Sequence, residues 1–431
     1  MFSVDDYRWL NSPEARGHWS SLLHAELPSE AAILKWLRTK LPTPRASLLM
    51  EQFQLLPIAQ RKFSDPHLWF WTRQLLEQSS DQDTAIETAL DFPAGGTVHD
   101  ICVGAGADCV AIANRPCNVI AYDNSPIACA LARHNLDSHR LDTPVHEATA
   151  ESIAIPSGSF IHIDPDRRPS GHRTTHLEWI SPPWNTMQRL LAMAKGMSLK
   201  LAPGFRLAPY RTQDSESPNP QSIRYLSKQG SVRQQRWYWG IERWPSESTV
   251  LSMFLNQPAV ERTSQFMAQR EHSTLEQNSR TEGNWFHEWY PYHDANPGDS
   301  PHTPITSQLL EYVGDYDPVV RAAQLAPAFS VRYGWQLIEN ESGYLTSITN
   351  LPHPMVRWFR VIDRLPMDQK RLKSYSRTVK VGNWELKSRG IEIDLDATRK
   401  ILATDSASKD RCTILFTCIE KRRFAVVCRE V

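Results

Sequence analysis

Residues 98–108 read VHDICVGAGAD. An apolar strand ending at Asp100 runs through a D-x-x-x-G-x-G turn, past Gly104 and Gly106, into a helix that starts at 107. Two glycines at such a turn permit tight turning and close approach of a ligand to the backbone. The next apolar run, 118–122, leads to Asp123, 19 residues after Gly104. A carboxylate at the tip of the second strand is placed to accept hydrogen bonds from a ribose diol. This pattern predicts a nucleoside seat, although the glycines alone would also suit a structural turn. The third glycine of a dinucleotide pattern is missing near Cys109, and no Gly-Lys-Ser/Thr follows, which disfavours a pyrophosphate or ATPase cradle. S-adenosylmethionine carries an adenosine and no phosphate, so it needs only the ribose acid and the glycine turn.

A second chemical signal is IHIDPDRR at 161–168, at the carboxyl end of a fourth predicted strand. Ligands of open α/β sheets bind outside the carboxyl ends of the strands. Asp164 and Pro165 should therefore face the same crevice as Gly104 and Asp123. Pro165 removes a backbone donor and fixes φ, stiffening the turn that presents Asp164. Arg167 and Arg168 suit bidentate contact with phosphate or carboxylate. The plain alternative is a strand-end turn with solvated arginines.

Other constellations carry less. His172 and His176 have i, i+4 spacing, but they follow Pro169 and Gly171 with no third ligand nearby, and read as loop histidines. Cys102 and Cys109 flank the glycine loop and read as packing thiols. No G-x-S-x-G occurs. The Trp237-Tyr238-Trp239 run could stack bases, but in a predicted strand it reads as core.

The elements that must position these residues follow from the rest of the chain. Its 431 residues imply two or three domains. With 41% hydrophobic and 22% charged residues, collagen, coiled-coil and mainly disordered classes are excluded. No run approaches a membrane span and the N-terminus has no basic-then-apolar leader, so the expected location is cytoplasmic. Seven cysteines with no C-x-x-C pair suggest neither a disulfide framework nor a four-cysteine zinc site. Lys plus Arg balance Asp plus Glu at 48 each, yet residues 351–431 hold 18 basic against 10 acidic side chains. That asymmetry points to a polyanion at the C-terminal end, or to a solvated basic face.

Helical periodicity marks 29–40 and 67–78, and residues 1–90 read as a helical N-terminal domain. From 97 short apolar runs (98–103, 118–122, 160–163, 197–202) alternate with helices from 107, over 126–137 and over 183–196, which predicts a parallel sheet with helices on its faces. Two further strands, 222–240 and 248–255, are expected to close it with an antiparallel edge. The catalytic domain should thus span 91–256, followed by a polar linker or insertion over 257–308 and an α+β domain over 309–431. In the last, 380–395, 411–418 and 424–428 read as extended and 396–402 as helix.

At this point the residues resemble a family. DICVGAGAD, AYDNSP (121–126) and IDPDRR (163–168) are similar to the class I S-adenosylmethionine-dependent methyltransferases, and more narrowly to the bacterial THUMP-like-domain group. That group's E-Q-Ser/Cys-Ser segment is matched by Glu77, Gln78, Ser79 and Ser80, its KLAPG strand by 200–204, and its S-x-x-G strand by Ser227 and Gly230. Its tail motifs are echoed by YVGDYDPVVRA (312–322), FRVIDRLP (359–366) and LKSRG (386–390). Asp166 departs from the small residue usual there. The resemblance implies a fold of the α/β class, a Rossmann-like class I methyltransferase sheet with an N-terminal helical domain and a C-terminal α+β THUMP-like domain. It further implies S-adenosyl-L-methionine as cofactor, held by Gln78, Ser79, Asp100, Gly104, Gly106, Asp108, Asp123 and Asn124. Asp164, Pro165, Arg167 and Arg168 would form the catalytic set, with no metal. The expected partner is RNA, tRNA or rRNA, held by the basic tail. A non-catalytic RNA- or nucleoside-binding protein that keeps the fold is the rival reading.

Overall fold

The computed structural model describes residues 2–166, 176–205, 219–270, 278–292, 305–339 and 343–431. The chain divides into two compact units, Met1–Ser222 with Arg236–Ser246, and Ile223–Gln235 with Glu247–Val431.

The first unit opens with six helices: α1 (Val4–Trp9), α2 (Pro13–Leu23), α3 (Glu30–Arg38), α4 (Thr43–Ala59), α5 (Arg73–Gln78) and α6 (Gln82–Ala89). Side chains of Ser3, Ser12, Ser29, Thr72 and Asp81 cap five of them. The helix expected over 67–78 is broken. After a single 3-10 turn, Trp69, Phe70 and Trp71 run extended and α5 starts only at Arg73. The reason lies in two buried side-chain amides. Gln52 accepts from Trp71 N at 2.8 Å and donates to Trp71 O at 2.9 Å, and Asn135 does the same for Phe70 at 2.8 and 3.1 Å. These bonds satisfy the backbone as a helix would. Trp69 and Trp71 then stack with ring centroids 5.1 Å apart, while Phe70 stacks on His134.

Five strands follow: β1 (Thr97–Ile101), β2 (Asn118–Asp123), β3 (Val145–Glu147), β4 (Phe160–Ile163) and β5 (Gly196–Leu201). They pair in parallel in the order β3-β2-β1-β4-β5, with helices α7 (Ala107–Ala113), α8 (Pro126–Ser138) and α9 (Trp184–Met193) between them. The alternation expected from the sequence is present. Strand order reverses direction between β1 and β4, the switch point where α/β sheets bind ligands. The helices of residues 1–90 share this unit: Asn11 donates to Ala130 O in α8 at 3.1 Å, and α1 packs on α8.

The run 222–240, expected as one strand, is a hairpin of β6 (Ser222–Lys228) and β7 (Ser231–Trp239), turning at Gln229 and Gly230, both of positive φ. The division between the units passes through this hairpin.

In the second unit, β8 (Ser248–Phe254), β9 (Ser279–Glu282) and β10 (Trp285–Pro291) form an antiparallel set, and α10 (Gln257–Arg270) lies between β8 and β9 in sequence. The segment expected as a polar linker or insertion, 257–308, carries a helix and three strands among its described residues, the third being β11 (Ile305–Thr306). Its polar residues mislead because several are buried: His287 and Glu288 are inaccessible to solvent. A second sheet has the order β11-β13-β14-β12-β15-β18-β17-β16, from β11 (Ile305–Thr306), β12 (Tyr312–Tyr316), β13 (Gln336–Ile338), β14 (Leu345–Ser347), β15 (Val356–Pro366), β16 (Asn383–Ser388), β17 (Arg411–Ile419) and β18 (Arg422–Glu430). Its helices are α11 (Pro318–Ala322), α12 (Ala326–Tyr333), α13 (Gln369–Thr378) and α14 (Leu395–Ile401). Alternation along β18 builds a core on each face, Ala425 and Val427 on one and Val426 and Cys428 on the other. No helix among the described residues is long and apolar enough to cross a membrane.

Candidate functional site

Parallel register places five polar side chains on one face of the first sheet. Asp100 on β1 pairs with His162 on β4, and His162 with Ser198 on β5. Two residues further on, the period of a strand brings Asp164 and Lys200 to the same face. The Lys200 ammonium donates to Asp164 Oδ2 at 2.6 Å and to Ser80 Oγ at 3.0 Å, and lies 3.5 Å from Asp108 Oδ2. Ser80 donates onward to Asp108 at 2.9 Å, and Arg236 closes the group, 3.6 Å from Asp108 and donating to Ser198 at 3.0 Å. Burial alone would raise the Asp108 pKa, but Lys200, then His162 and Arg236, outweigh it and hold the carboxyl well below the usual range. Lys200 is raised: burial opposes its charge, and Asp164 and Asp108 more than restore it.

The glycine loop sits at the carboxyl end of β1. Gly104 and Gly106 have φ of 57° and 88°, the left-handed region in which glycine alone is unstrained, and Gly106 leads into α7. Cys102, just before them, takes the same region at φ 64° without that freedom. Asn135 holds the loop by donating to Ala105 O at 2.8 Å. Asp123 at the end of β2 accepts from Gly104 N and from Ser125 N, both at 2.9 Å. Burial pushes the Asp123 pKa up, against these backbone donors, which lower it. Two accepted bonds leave its carboxylate with acceptor capacity for a diol. The residues fit the cofactor expected from the sequence: a carboxylate for ribose beside a left-handed glycine loop whose sequence, VGAGAD, holds no lysine to seat a phosphate.

The structure brings Asp100, Asp123, Asp164 and Asp166 together around Cys102. Burial first, and then these four negative charges, push its thiol far up, and burial with Asp100 does the same to Cys109. Neither is poised as a thiolate nucleophile. Asp164 N donates to Ile101 O at 3.3 Å, and its side chain is 27% exposed against 8% for Lys200. Asp166 pairs with Ser181 through two backbone bonds beyond Pro165.

The other expected residues divide. Asp100 and Asp108 turn into the buried ion cluster, with Asp100 2.6 Å from His162 Nδ1. Gln78 and Ser79 end α5, where Lys62 donates to the carbonyls of Leu76, Glu77 and Ser79. Asn124 is exposed beside Asp123. Arg167, Arg168 and His172 lie outside the described residues, and His176 is exposed. Trp237, Tyr238 and Trp239 are buried, as core.

Residues 356–430, which are β15 to β18 with α13 and α14, match the family model described as THUMP domain-like. Two curated relatives from strains of Mycobacterium tuberculosis, each described as an uncharacterised S-adenosylmethionine-dependent methyltransferase, are 26% identical over 344 residues, 78% of this chain and 81% of theirs. A crystal structure from Porphyromonas gingivalis W83, described as that of a methyltransferase, superposes with a TM-score of 0.67 at 17% identity. It covers 93% of this chain and 98% of that one. The chain has the class I methyltransferase fold and carries a THUMP-like domain. Within this methyltransferase fold, the sequence reading missed His162, Lys200 and Arg236 as members of the site. The available signal was alternation: His162 and Asp164, and Ser198 and Lys200, interrupt strands whose other positions are apolar.

Proposed function

We propose that the protein transfers the methyl group of S-adenosylmethionine directly to a nitrogen or oxygen of an RNA, with Asp164 orienting the accepting group. The observation that carries this reading is the Asp164 carboxylate, held at 2.6 Å by buried Lys200 at the switch point of the sheet, beside the glycine loop tied to Asp123. The cofactor supplies an electrophilic sulfonium methyl; this chain's own residues bind, orient and align. Asp123, Gly104 and Gly106 would hold the nucleoside end. A raised Cys102 thiol supports transfer to a heteroatom without a covalent ring adduct. The reading is tested by transfer of labelled methyl to total RNA from a strain lacking the gene; absence of transfer with cofactor bound would favour a binding role.

Asp123→Ala is expected to weaken S-adenosylmethionine binding by roughly 1.5–3 kcal/mol, the worth of hydrogen bonds to a charged group. Calorimetry checks this, and tighter binding of NAD than of S-adenosylmethionine would sink the reading.

The RNA half of the proposal rests on the THUMP-like match and on charge. Among the basic residues of the tail, four are engaged within the second unit: Arg357 with Glu385 and Glu430, Arg360 with Glu311, and Lys387 and Arg389 with Asp315. Lys370, Arg371, Lys373 and Arg377 are exposed on α13. Changing these four to alanine is expected to weaken RNA binding and to lower the slope of log affinity against log salt by about 0.7 per lost phosphate contact. An unchanged slope would move RNA off α13.

A further inference from the structure

Lys200 is an expensive choice for its position. Every residue of β5 is buried, and a buried ion pair seldom adds stability over apolar side chains of the same volume. Its three donors are spent on three acceptors, with the shortest bond, 2.6 Å, on Asp164 and the longer ones on Ser80 and Asp108. The two carboxylates depend on it differently. Asp108 keeps Ser80, Thr88 and Arg236 if Lys200 is removed. Among the described residues, Lys200 is the one ion-pair partner of Asp164. The ammonium binds Oδ2 of that carboxylate, and the Asp164 side chain keeps 27% of its surface exposed against 8% for Lys200.

We propose that Lys200 is a positioning residue for methyl transfer, fixing through one carboxylate oxygen the direction in which Asp164 presents the other to the accepting group. The inference rests on the role assigned to Asp164 above. Asp108 and Ser80 serve as the far anchor: Asp108 sits in the first turn of α7, immediately after the glycine loop, so the loop that seats the cofactor and the carboxylate that meets the acceptor share one ammonium. The charged and titratable groups around the pair are Asp108 from α7, Asp100 and Cys102 from β1 and its loop, His162 from β4, Asp166 beyond it, Asp123 from β2 and Arg236 from β7.

The test compares Lys200→Met, which keeps length and removes charge, with Lys200→Arg, by crystallography, by S-adenosylmethionine calorimetry and by kcat on RNA from a strain lacking the gene. Lys200→Met is expected to bind cofactor within a few-fold of the parent and to show the Asp164 carboxylate swung from its place. Its kcat should fall on the order of ten- to a hundred-fold, the range of coupling between contacting groups. Lys200→Arg should recover part of both. In an Asp164→Asn background, Lys200→Met should cost little more. An unmoved carboxylate in Lys200→Met, or the same loss of kcat in both backgrounds, overturns the proposal. If Lys200→Met does not fold, Lys200→Gln carries the same comparison. Near-normal turnover by Asp164→Asn alone would instead overturn the role of Asp164, while the crystallographic arm still decides whether Lys200 holds it.

Discussion

Asp164→Asn is expected to lower methyl transfer by about 10²–10⁴-fold, the loss typical of a positioned acid–base group, with S-adenosylmethionine affinity within a few-fold of the parent. Methyl transfer asks the enzyme mainly to align an acceptor with the sulfonium methyl, at about 3–3.5 Å between reacting atoms. An accepting N–H or O–H aligned by a carboxylate gives up its proton toward that carboxylate as the new bond forms. Asparagine keeps the shape and one acceptor oxygen but lacks the charge that attracts the proton. Asp164 is the group so placed: it follows β4 at the switch point, is 27% exposed, and is anchored from behind by Lys200. Asp100 and Asp108 are buried in the ion cluster, and Asp123 is bound to the glycine loop. Single-turnover rates with RNA, beside calorimetric cofactor affinities, check the expectation. A near-parental rate would move the chemistry elsewhere in the crevice. Loss of cofactor binding would make Asp164 part of the adenosine site.

The glycine loop, Asp123 and the βα alternation were legible because each is a local signal: spacing within 26 residues from 98 to 123 carries the loop, its helix and the acid. The Lys200–Asp164 pair was not, because 36 positions separate the two and only strand register joins them. KLAPG drew attention to residue 200 as a motif member, while the chemistry of its ammonium depends on β4 and β5 being neighbours. The helix expected over 67–78 failed for a related reason. Leu68, Trp71, Leu75 and Leu76 do recur at helical spacing, but the amides of Gln52 and Asn135, distant in sequence, bind the backbone of Phe70 and Trp71 in extended form. In the tail, the count of basic residues could not separate Arg357, Lys387 and Arg389, which are consumed by carboxylates, from the exposed set on α13.

The polar segment after residue 256 shows the same limit with the largest energetic consequence, at Glu288 on β10. Its side chain is fully buried, and Oε1 accepts from Tyr290 at 2.6 Å, Tyr333 at 2.7 Å and Arg332 at 2.9 Å. Oε2 lies 3.2 Å from His353 Nε2. His353 Nδ1 accepts the Met355 N–H at 3.1 Å, so the ring proton belongs on Nε2, toward the carboxylate. Burial by itself would raise the Glu288 pKa, but His353, Arg332 and Tyr290 bring it down to about 2; burial lowers His353, with Glu288 opposing. A carboxyl depressed on folding contributes stability that is present above its unfolded value and lost as pH falls toward its folded one. A histidine depressed on folding adds to this, because below its ordinary value the unfolded chain takes up a proton that the native state refuses. Stability should therefore fall with acid in two stages, first below about 6.5 from His353 and then below about 4.3 from Glu288, the ordinary values of the two groups. Glu288→Ala leaves the Arg332 guanidinium and both tyrosine hydroxyls without their common acceptor, and His353 without its neighbouring carboxylate. Breaking a buried pair from one side costs about 3–5 kcal/mol, a large share of a domain's margin of stability. Urea unfolding at neutral pH should show that loss, and the parent's acid-dependent fall below about 4.3 should be reduced in Glu288→Gln, with Asp108 supplying part of what remains. A Glu288→Ala variant within about 1 kcal/mol of the parent, the scale of one ordinary hydrogen bond, would mean that the network is not what holds β10 to α12 and the segment around His353.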